Sequence, residues 1–241
     1  MATPYVDAHA HIYGFSLEVI ANFVNNYNLV IIGVAEDLES SLRILEISNK
    51  IPKVIPAIGI HPWNIQKADE KSLEKVLELA HIVKILGEIG LDKRFAKESI
   101  EKQRKFLEKF LVFASENNLR VNLHTLDAWN EILDLLIKYQ IEKAIFHWYS
   151  GPLPLLKELE AQGYFITINP AVKFQRKHRM VLEKAPIEII LTESDGPYNY
   201  RGVSLTPELI PEVVKEIADV KEISEQEAKE IIYKNFQKFL S

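Results

Sequence analysis

Cysteine is absent from the chain. Disulfides and every thiolate metal site are thereby excluded, and any metal has to rest on nitrogen and oxygen donors from His, Asp and Glu. Long apolar runs are also missing: no window approaches the roughly 18 consecutive apolar residues of a membrane span. The opening MATPYVDAHAHIYG lacks the basic stretch followed by an apolar one that marks a secretory leader. The expectation is a cytoplasmic protein with no membrane association. Positive charge is in deficit, with 29 Lys and Arg against 34 Asp and Glu, for a net charge of −5. A surface that grips nucleic acid everywhere is excluded, because phosphate binding needs clustered cations. A local patch stays open: Lys173, Arg176, Lys177 and Arg179 form a basic run, which also reads as the solvated start of a helix. No Pro/Gly/Ser-rich linker, internal repeat or low-complexity tract interrupts the sequence. The expectation is one domain spanning 1–241, with no obligate protein partner inferred.

What is present is a chain with 47% hydrophobic and 26% charged residues, enough to build a substantial core. Short runs rich in Val, Ile and Leu alternate with longer stretches of helical spacing rich in Glu and Lys. Strands are expected near Tyr5–Ala8, Leu29–Ala35, Val54–Ile60, Val83–Ile89, Arg120–His124, Lys143–His147, Tyr164–Ile168 and Ile187–Glu193. Helices are expected near Leu17–Tyr27, Leu38–Asn49, Glu70–Ala80, Ile100–Asn117, Ala128–Tyr139, Leu153–Gln162, Gln175–Lys184 and Pro207–Asp219. A final helix near Ser224–Leu240 opens with Ser224 three residues before Glu227, the spacing of a capping box. Such an alternation builds either an open doubly wound sheet or a closed barrel.

The placement of polar residues decides between these. Asp7, His9 and His11 trail the first expected strand and His61 the third. Glu88 and Asp92 follow at the fourth, His124 at the fifth, His147 at the sixth, and Glu193 and Asp195 at the eighth. An open sheet spreads such residues across its width, whereas a (β/α)₈ TIM barrel gathers them on its carboxyl-end rim. The expected fold class is therefore α/β, a single (β/α)₈ TIM barrel with an extra C-terminal helix. His9 and His11 stand two apart on an extended backbone and so face the same way. Glu88 interrupts an apolar strand, flanked by Gly87 and Gly90, and a carboxylate there demands positive charge beside it. Six donors, His9, His11, Glu88, His124, His147 and Asp195, are too many for one tetrahedral ion. They suit two divalent ions about 3.5–4 Å apart, with Glu88 as the bridge. Hard oxygen donors favour Mg²⁺ or Mn²⁺ and imidazoles favour Zn²⁺, so the mixed set leaves the metal's identity open. His81 and His178 are set aside, one at a helix end and the other in the basic run.

The segments Asp7-Ala-His-Ala-His11, Gly59-Ile-His-Pro62, Gly87-Glu-Ile-Gly-Leu-Asp92, His124, His147-Trp-Tyr-Ser-Gly151, Glu193-Ser-Asp-Gly-Pro197 and Asn235-Phe236 occur in one order. Together they resemble the TatD family of metal-dependent hydrolases, a branch of the amidohydrolase superfamily of TIM barrels, from Asp7 to about Phe236. The resemblance implies one metal on His9, His11, Glu88 and Asp195, and a second on Glu88, His124 and His147. It also implies phosphodiester hydrolysis of the deoxyribonuclease type, often exonucleolytic, with DNA or another phosphodiester bound locally at the barrel rim. Two positions depart from the family pattern: Leu126 stands where Arg is usual, and Lys93 where Tyr is common.

The expected catalytic residues are Asp195, Glu88 and His61. Asp195 would orient a water and take its proton, Glu88 would join the two cations, and His61 would contact a substrate phosphate or assist the leaving group. Lys93 and Arg201 are candidate phosphate clamps, and Trp63, Trp148 and Tyr198 are candidate stacking partners for bases. The same chemistry directed at carbon would hydrolyse an amide, an ester or an aminoacyl ester on RNA. A non-catalytic scaffold would be expected to lack some of the six donors, and all six are present.

Overall fold

The computed structural model describes residues 2–241. Eight parallel strands follow one another in sheet order: β1 (Tyr5–Ala10), β2 (Leu29–Val34), β3 (Val54–Ile58), β4 (Ile85–Asp92), β5 (Arg120–Leu126), β6 (Ala144–Phe146), β7 (Phe165–Ile168) and β8 (Ile190–Thr192). The last strand returns to the first. Thr192 Oγ1 donates to Val6 O at 2.5 Å, Ser194 N to Asp7 Oδ1 at 2.9 Å, and Asp195 N to His9 O at 3.0 Å. The sheet is thus a nearly closed TIM barrel, as the sequence pattern predicts.

Helices α1 (Leu17–Asn26), α2 (Leu38–Lys50), α3 (Glu70–Ala80), α4 (Ile100–Glu116), α5 (Trp129–Lys138), α6 (Leu155–Gln162), α7 (Arg176–Lys184) and α8 (Ile210–Lys221) surround it. None of the described helices is long and apolar enough to cross a membrane. Each lays an apolar stripe on the strands, as α4 does with Phe106, Leu107, Phe110, Leu111 and Ala114. Side chains begin several of them: Ser16 accepts from Val19 N, and Asp69 from Ser72 N. The box expected at Ser224 is realised by one bond, Glu227 N donating to Ser224 Oγ at 3.2 Å. A reciprocal box occurs instead at α2, between Asp37 and Ser40.

The ninth helix, α9 (Glu225–Leu240), covers the seam where the barrel closes, packing on β1 and β8. Asn235 Nδ2 donates to Ile187 O at 2.8 Å and Ile190 O at 2.9 Å, tying the helix to the turn that leads into β8 and to the strand's first residue. Phe236 and Phe239 are buried beside it, each contributing about 2 kcal/mol by area removed from water.

Three features differ from the expected pattern. Ile187–Ile189 is a 3₁₀ turn and β8 starts only at Ile190, because Pro186 leads into a tight turn before the strand. Strand β4 runs past Glu88 to Asp92 through an irregularity between Leu86 and Ile89. After β8, strands β9 (Tyr198–Tyr200) and β10 (Val203–Leu205) form an antiparallel hairpin at the rim. Its polar and aromatic sequence lacks the alternation that signals a strand.

Candidate metal centre

Glu88 sits at the centre of the carboxyl-end rim. Its Oε2 lies 3.3 Å from His9 Nε2 and 3.4 Å from His11 Nε2. Its Oε1 lies 2.9 Å from His124 Nδ1, 3.0 Å from His147 Nε2 and 3.3 Å from His61 Nε2. The two oxygens of one carboxylate therefore serve two separate groups of imidazoles. Asp195 joins the first group, with Oδ1 3.5 Å from both His9 Nε2 and His11 Nε2. His61 stands with the second group, a closer approach to Glu88 than a substrate contact alone requires.

Local backbone form makes this gathering feasible. Gly90 adopts φ +151°, and a Cβ there would lie 1.9 Å from His124 O, so only glycine lets β4 run this close to β5. Asp195 and Trp148, each just beyond a strand end, hold positive φ values of 57° and 40°. Non-glycine residues in that region carry strain, and it falls beside the site.

Buried partners fix the rings from behind. Asn122 donates Nδ2 to Ala8 O at 2.8 Å, and its Oδ1 accepts the Nδ1 proton of His9 at 2.8 Å. That leaves the His9 Nε2 lone pair facing the site. Glu193 lies 3.6 Å from His147 Nδ1 and is itself held by Thr167 Oγ1 at 2.6 Å, Trp148 N at 3.0 Å and Asn169 Nδ2 at 3.1 Å. Asp92 accepts from Trp63 Nε1 at 2.6 Å, Phe95 N at 2.7 Å and Arg94 N at 2.8 Å, and lies 3.1 Å from His124 Nε2.

The electrostatics favour positive charge. Burial opposes ionisation of Glu88, yet His61, His147 and His9 around it hold its carboxyl well below the usual range. Burial likewise opposes protonation of His11, but Asp195, Glu88 and Glu36 push it up to about 9. His147 is raised well above its ordinary value against the same burial, by Glu88 and Glu193. Burial lifts the Asp7 carboxyl to about 7, despite the hydrogen bonds it accepts from Ser194 and His9. Two buried donor atoms facing this centre, His9 Nε2 and Glu88 Oε2, have no hydrogen-bond partner. Orphaned N and O donors of this kind, in a field that attracts cations, are a fit to bound divalent metal.

A family model described as TatD related DNase matches residues 6–241. The chain belongs to the TatD family of metal-dependent hydrolases. It is 32% identical to an uncharacterized metal-dependent hydrolase of Methanocaldococcus jannaschii, with 98% of this chain and 96% of that protein covered. It is 28% identical to the human deoxyribonuclease TATDN3, over 95% of this chain and 92% of that one. The crystal structure of the TatD homologue YjjV from Escherichia coli superposes with a TM-score of 0.89 at 24% identity, covering 99% of this chain and 98% of the other. That likeness concerns the fold.

Above the metal centre of this TatD-family chain opens a cavity of about 450 Å³. Its walls carry Tyr13, Trp63, Phe95, Trp129, Trp148, Tyr198 and Tyr200. Trp148 Nε1 donates to Gln175 Oε1 at 3.0 Å, tying the loop after β6 to the start of α7. Glu36 lines the cavity, accepts from Tyr13 OH at 2.5 Å, and approaches His11 Nδ1 at 4.0 Å.

All six expected donors and His61 thus meet in one place, whereas Lys93 and Arg201 do not line the cavity. Lys93 turns outward to Glu131 at 2.5 Å. Arg94, next to Lys93 in the chain, does reach the wall but is bonded to Asp127 through both Nε and Nη2. Arg201 lies at the tip of the β9–β10 hairpin, 5.5 Å over the Tyr200 ring. His178 does not belong to a solvated basic run: it is fully buried on the inner face of α7. Its Nε2 accepts from Asn169 N at 3.2 Å and its Nδ1 donates to Tyr149 O at 3.1 Å. Burial lowers its pKa to about 4. Asn122, Tyr13 and Glu36 escape the sequence reading. A polar residue at an inward position of the apolar run Val-Asn-Leu-His is the signal for Asn122, and no comparable signal marks the other two.

Proposed function

We propose that this TatD-family hydrolase is a phosphodiesterase, a deoxyribonuclease of the 3′–5′ exonuclease type that works with two divalent cations. The observation that carries the reading is the division of the Glu88 carboxylate between His9 and His11 on one side and His124 and His147 on the other. Asp195 completes the first set, and a shared carboxylate between two N/O donor groups suits a pair of ions such as Mg²⁺, Mn²⁺ or Zn²⁺. Bound there, divalent cations supply Lewis acidity, making a water easier to deprotonate and neutralising charge on a phosphoryl group.

The chain's own residues do the rest. Asp195 offers a carboxylate beside His9 and His11 as the acceptor of the water's proton, and its pKa, lowered despite burial by the neighbouring histidines, keeps it ionised. Trp63 N donates to His61 Nδ1 at 3.1 Å, so the His61 proton resides on Nε2, which lies 3.2 Å from His124 Nδ1 and 3.3 Å from Glu88 Oε1 at the cavity floor. Burial lowers the pKa of His61, and the neutral ring donates Nε2–H to a phosphoryl or leaving-group oxygen. The aromatic walls exclude water and give bases a face to stack on.

The likeness to a human deoxyribonuclease supports the phosphodiester reading. Purified protein supplied in turn with Mg²⁺, Mn²⁺ and Zn²⁺ is to be assayed on end-labelled single-stranded DNA beside a panel of carboxylic esters. Stepwise shortening from the 3′ end is the expected result. Intact DNA with every metal, together with ester hydrolysis, would move the reaction from phosphorus to carbon.

A further inference from the structure

We propose that Arg176, Lys177 and Arg201 form a phosphate-binding ledge on one side of the cavity mouth, across which the backbone of a single-stranded polynucleotide passes. The ledge rests on the phosphodiesterase reading for its substrate, but it is a separate surface with its own observable.

The argument starts from charge balance. A polyanion approaching this protein meets a net charge of −5 and a cavity floor built around Glu88 and Asp195. Cations bound on the floor would meet only the reacting phosphate, so attraction along the rest of a strand has to come from cations near the mouth that are not already neutralised. Most are. Lys93 is paired with Glu131, Arg94 with Asp127, Lys173 with Glu212, and Arg179 with Glu216. Among the described residues no ion pair engages Arg176, Lys177 or Arg201, and all three are exposed.

These three belong to one side of the opening. Lys177 Nζ lies 5.0 Å from the ring centre of Trp129, a cavity-wall residue. Arg201 Cζ lies 5.5 Å from the ring of Tyr200, another wall residue. Gln175, immediately before Arg176, lines the cavity and also a neighbouring surface depression to which Arg176 contributes. The two chain segments are joined: Gln175 Nε2 donates to Tyr200 OH at 3.3 Å, and Phe174 stacks on Tyr200 at 5.8 Å with 25° between planes. At the hairpin tip Asn199 Oδ1 accepts from Gly202 N at 3.2 Å, bracing the turn that presents Arg201. A cation resting on an aromatic face keeps its charge and its remaining donors, so it can hold a phosphate while staying in place. Aromatic faces inside with uncompensated cations outside are the two parts of a single-strand binding groove.

The test uses the metal-loaded protein and a fluorescent, cleavage-resistant phosphorothioate oligothymidylate of about 12 nucleotides, with anisotropy read over a series of salt concentrations. Replacing all three residues, Arg176→Gln, Lys177→Gln and Arg201→Gln, is expected to weaken binding about 10- to 30-fold at low salt. The slope of log affinity against log salt should fall by about 2, at roughly 0.7 for each phosphate that is no longer neutralised. Arg201→Gln alone should lower it by about 0.7. Binding of thymidine monophosphate, too short to reach the ledge, should change less than about threefold. Lys105→Gln, which removes a charge paired with Glu70 on the outer helices, serves as the control. Unaltered oligonucleotide affinity and slope in the triple variant would overturn the ledge, as would an equal loss for the mononucleotide. Failure of the wild type to cut any phosphodiester would instead remove the phosphodiesterase reading, and the anisotropy slopes would still decide the ledge.

Discussion

The floor and the mouth of the cavity are built on opposite principles. On the floor, the buried His9, His147 and Asp92 are each fixed from behind: Asn122 holds His9, Glu193 faces His147, and two backbone amides with the Trp63 indole hold Asp92. At the mouth, Phe95 and Tyr198 are exposed large side chains held by few polar contacts. The contrast separates a part of the molecule where charges are matched over a few ångströms from a part whose exposed rings suit the proposed sorting of ligands by shape and stacking. Changes on the floor should therefore appear in turnover and metal content, and changes at the mouth in affinity.

Glu88→Gln should have the largest effect. The replacement keeps volume but removes the charge that five imidazoles surround, so kcat/KM on a small phosphodiester should drop by about 10³-fold or more. Elemental analysis should show lost metal in the same sample. Full metal content together with near-normal turnover would break the distinction between floor and mouth at its strongest point.

Asp195→Asn comes next. Its carboxylate completes the first group beside His9 and His11, where its proposed part is to take the water's proton. Turnover should fall about 10²- to 10³-fold while KM stays within about threefold. Comparable changes in both constants would assign Asp195 to binding.

The floor's support extends to His178, which bonds Asn169 and Tyr149 behind the loop carrying Trp148. Its folded pKa, near 4, lies below the value of 6.5 for an exposed imidazole, so between those limits the unfolded chain takes up the proton and the native one does not. Stability is fully present above pH 6.5 and is lost as pH falls toward 4. At pH 5 the loss from this residue should be about 2 kcal/mol. Urea unfolding at pH 7.5 and pH 5 should show His178→Gln losing less stability on acidification than the wild type by about that amount. An identical pH dependence in the two proteins would place the proton elsewhere.

The same contrast explains what could be read from sequence. The barrel and the six donors were legible because strand period, chain order and residue type all point to one rim, and a buried Glu88 admits few environments. The ends of β4 and β8 were not, since a bulge and a Pro186 turn alter register without altering composition. The burial of His178 was hidden for a related reason: Arg176, Lys177 and Arg179 around it are polar, and only the helix turn, not the run, says which side faces inward. The mouth was least legible. Lys93 and Arg94 are neighbours in sequence, yet one leaves the cavity and the other lines it, a difference set by loop conformation and by the positions of Glu131 and Asp127.

The mouth supplies the mildest prediction and the most direct check on its role. Tyr198 is 43% exposed, lines the cavity and stands 6.2 Å from Trp148 in an edge arrangement. Its truncation leaves the Glu88 cluster untouched. With base stacking worth about 1–3 kcal/mol, and only part of that realised at a half-exposed ring, Tyr198→Ala should raise KM for single-stranded DNA about 5- to 10-fold. Turnover should stay within about twofold, because no proton or charge on the floor changes. If kcat fell as steeply as affinity, the hairpin would have to position the reacting ester itself, and the mouth would share the rigidity now ascribed to the floor.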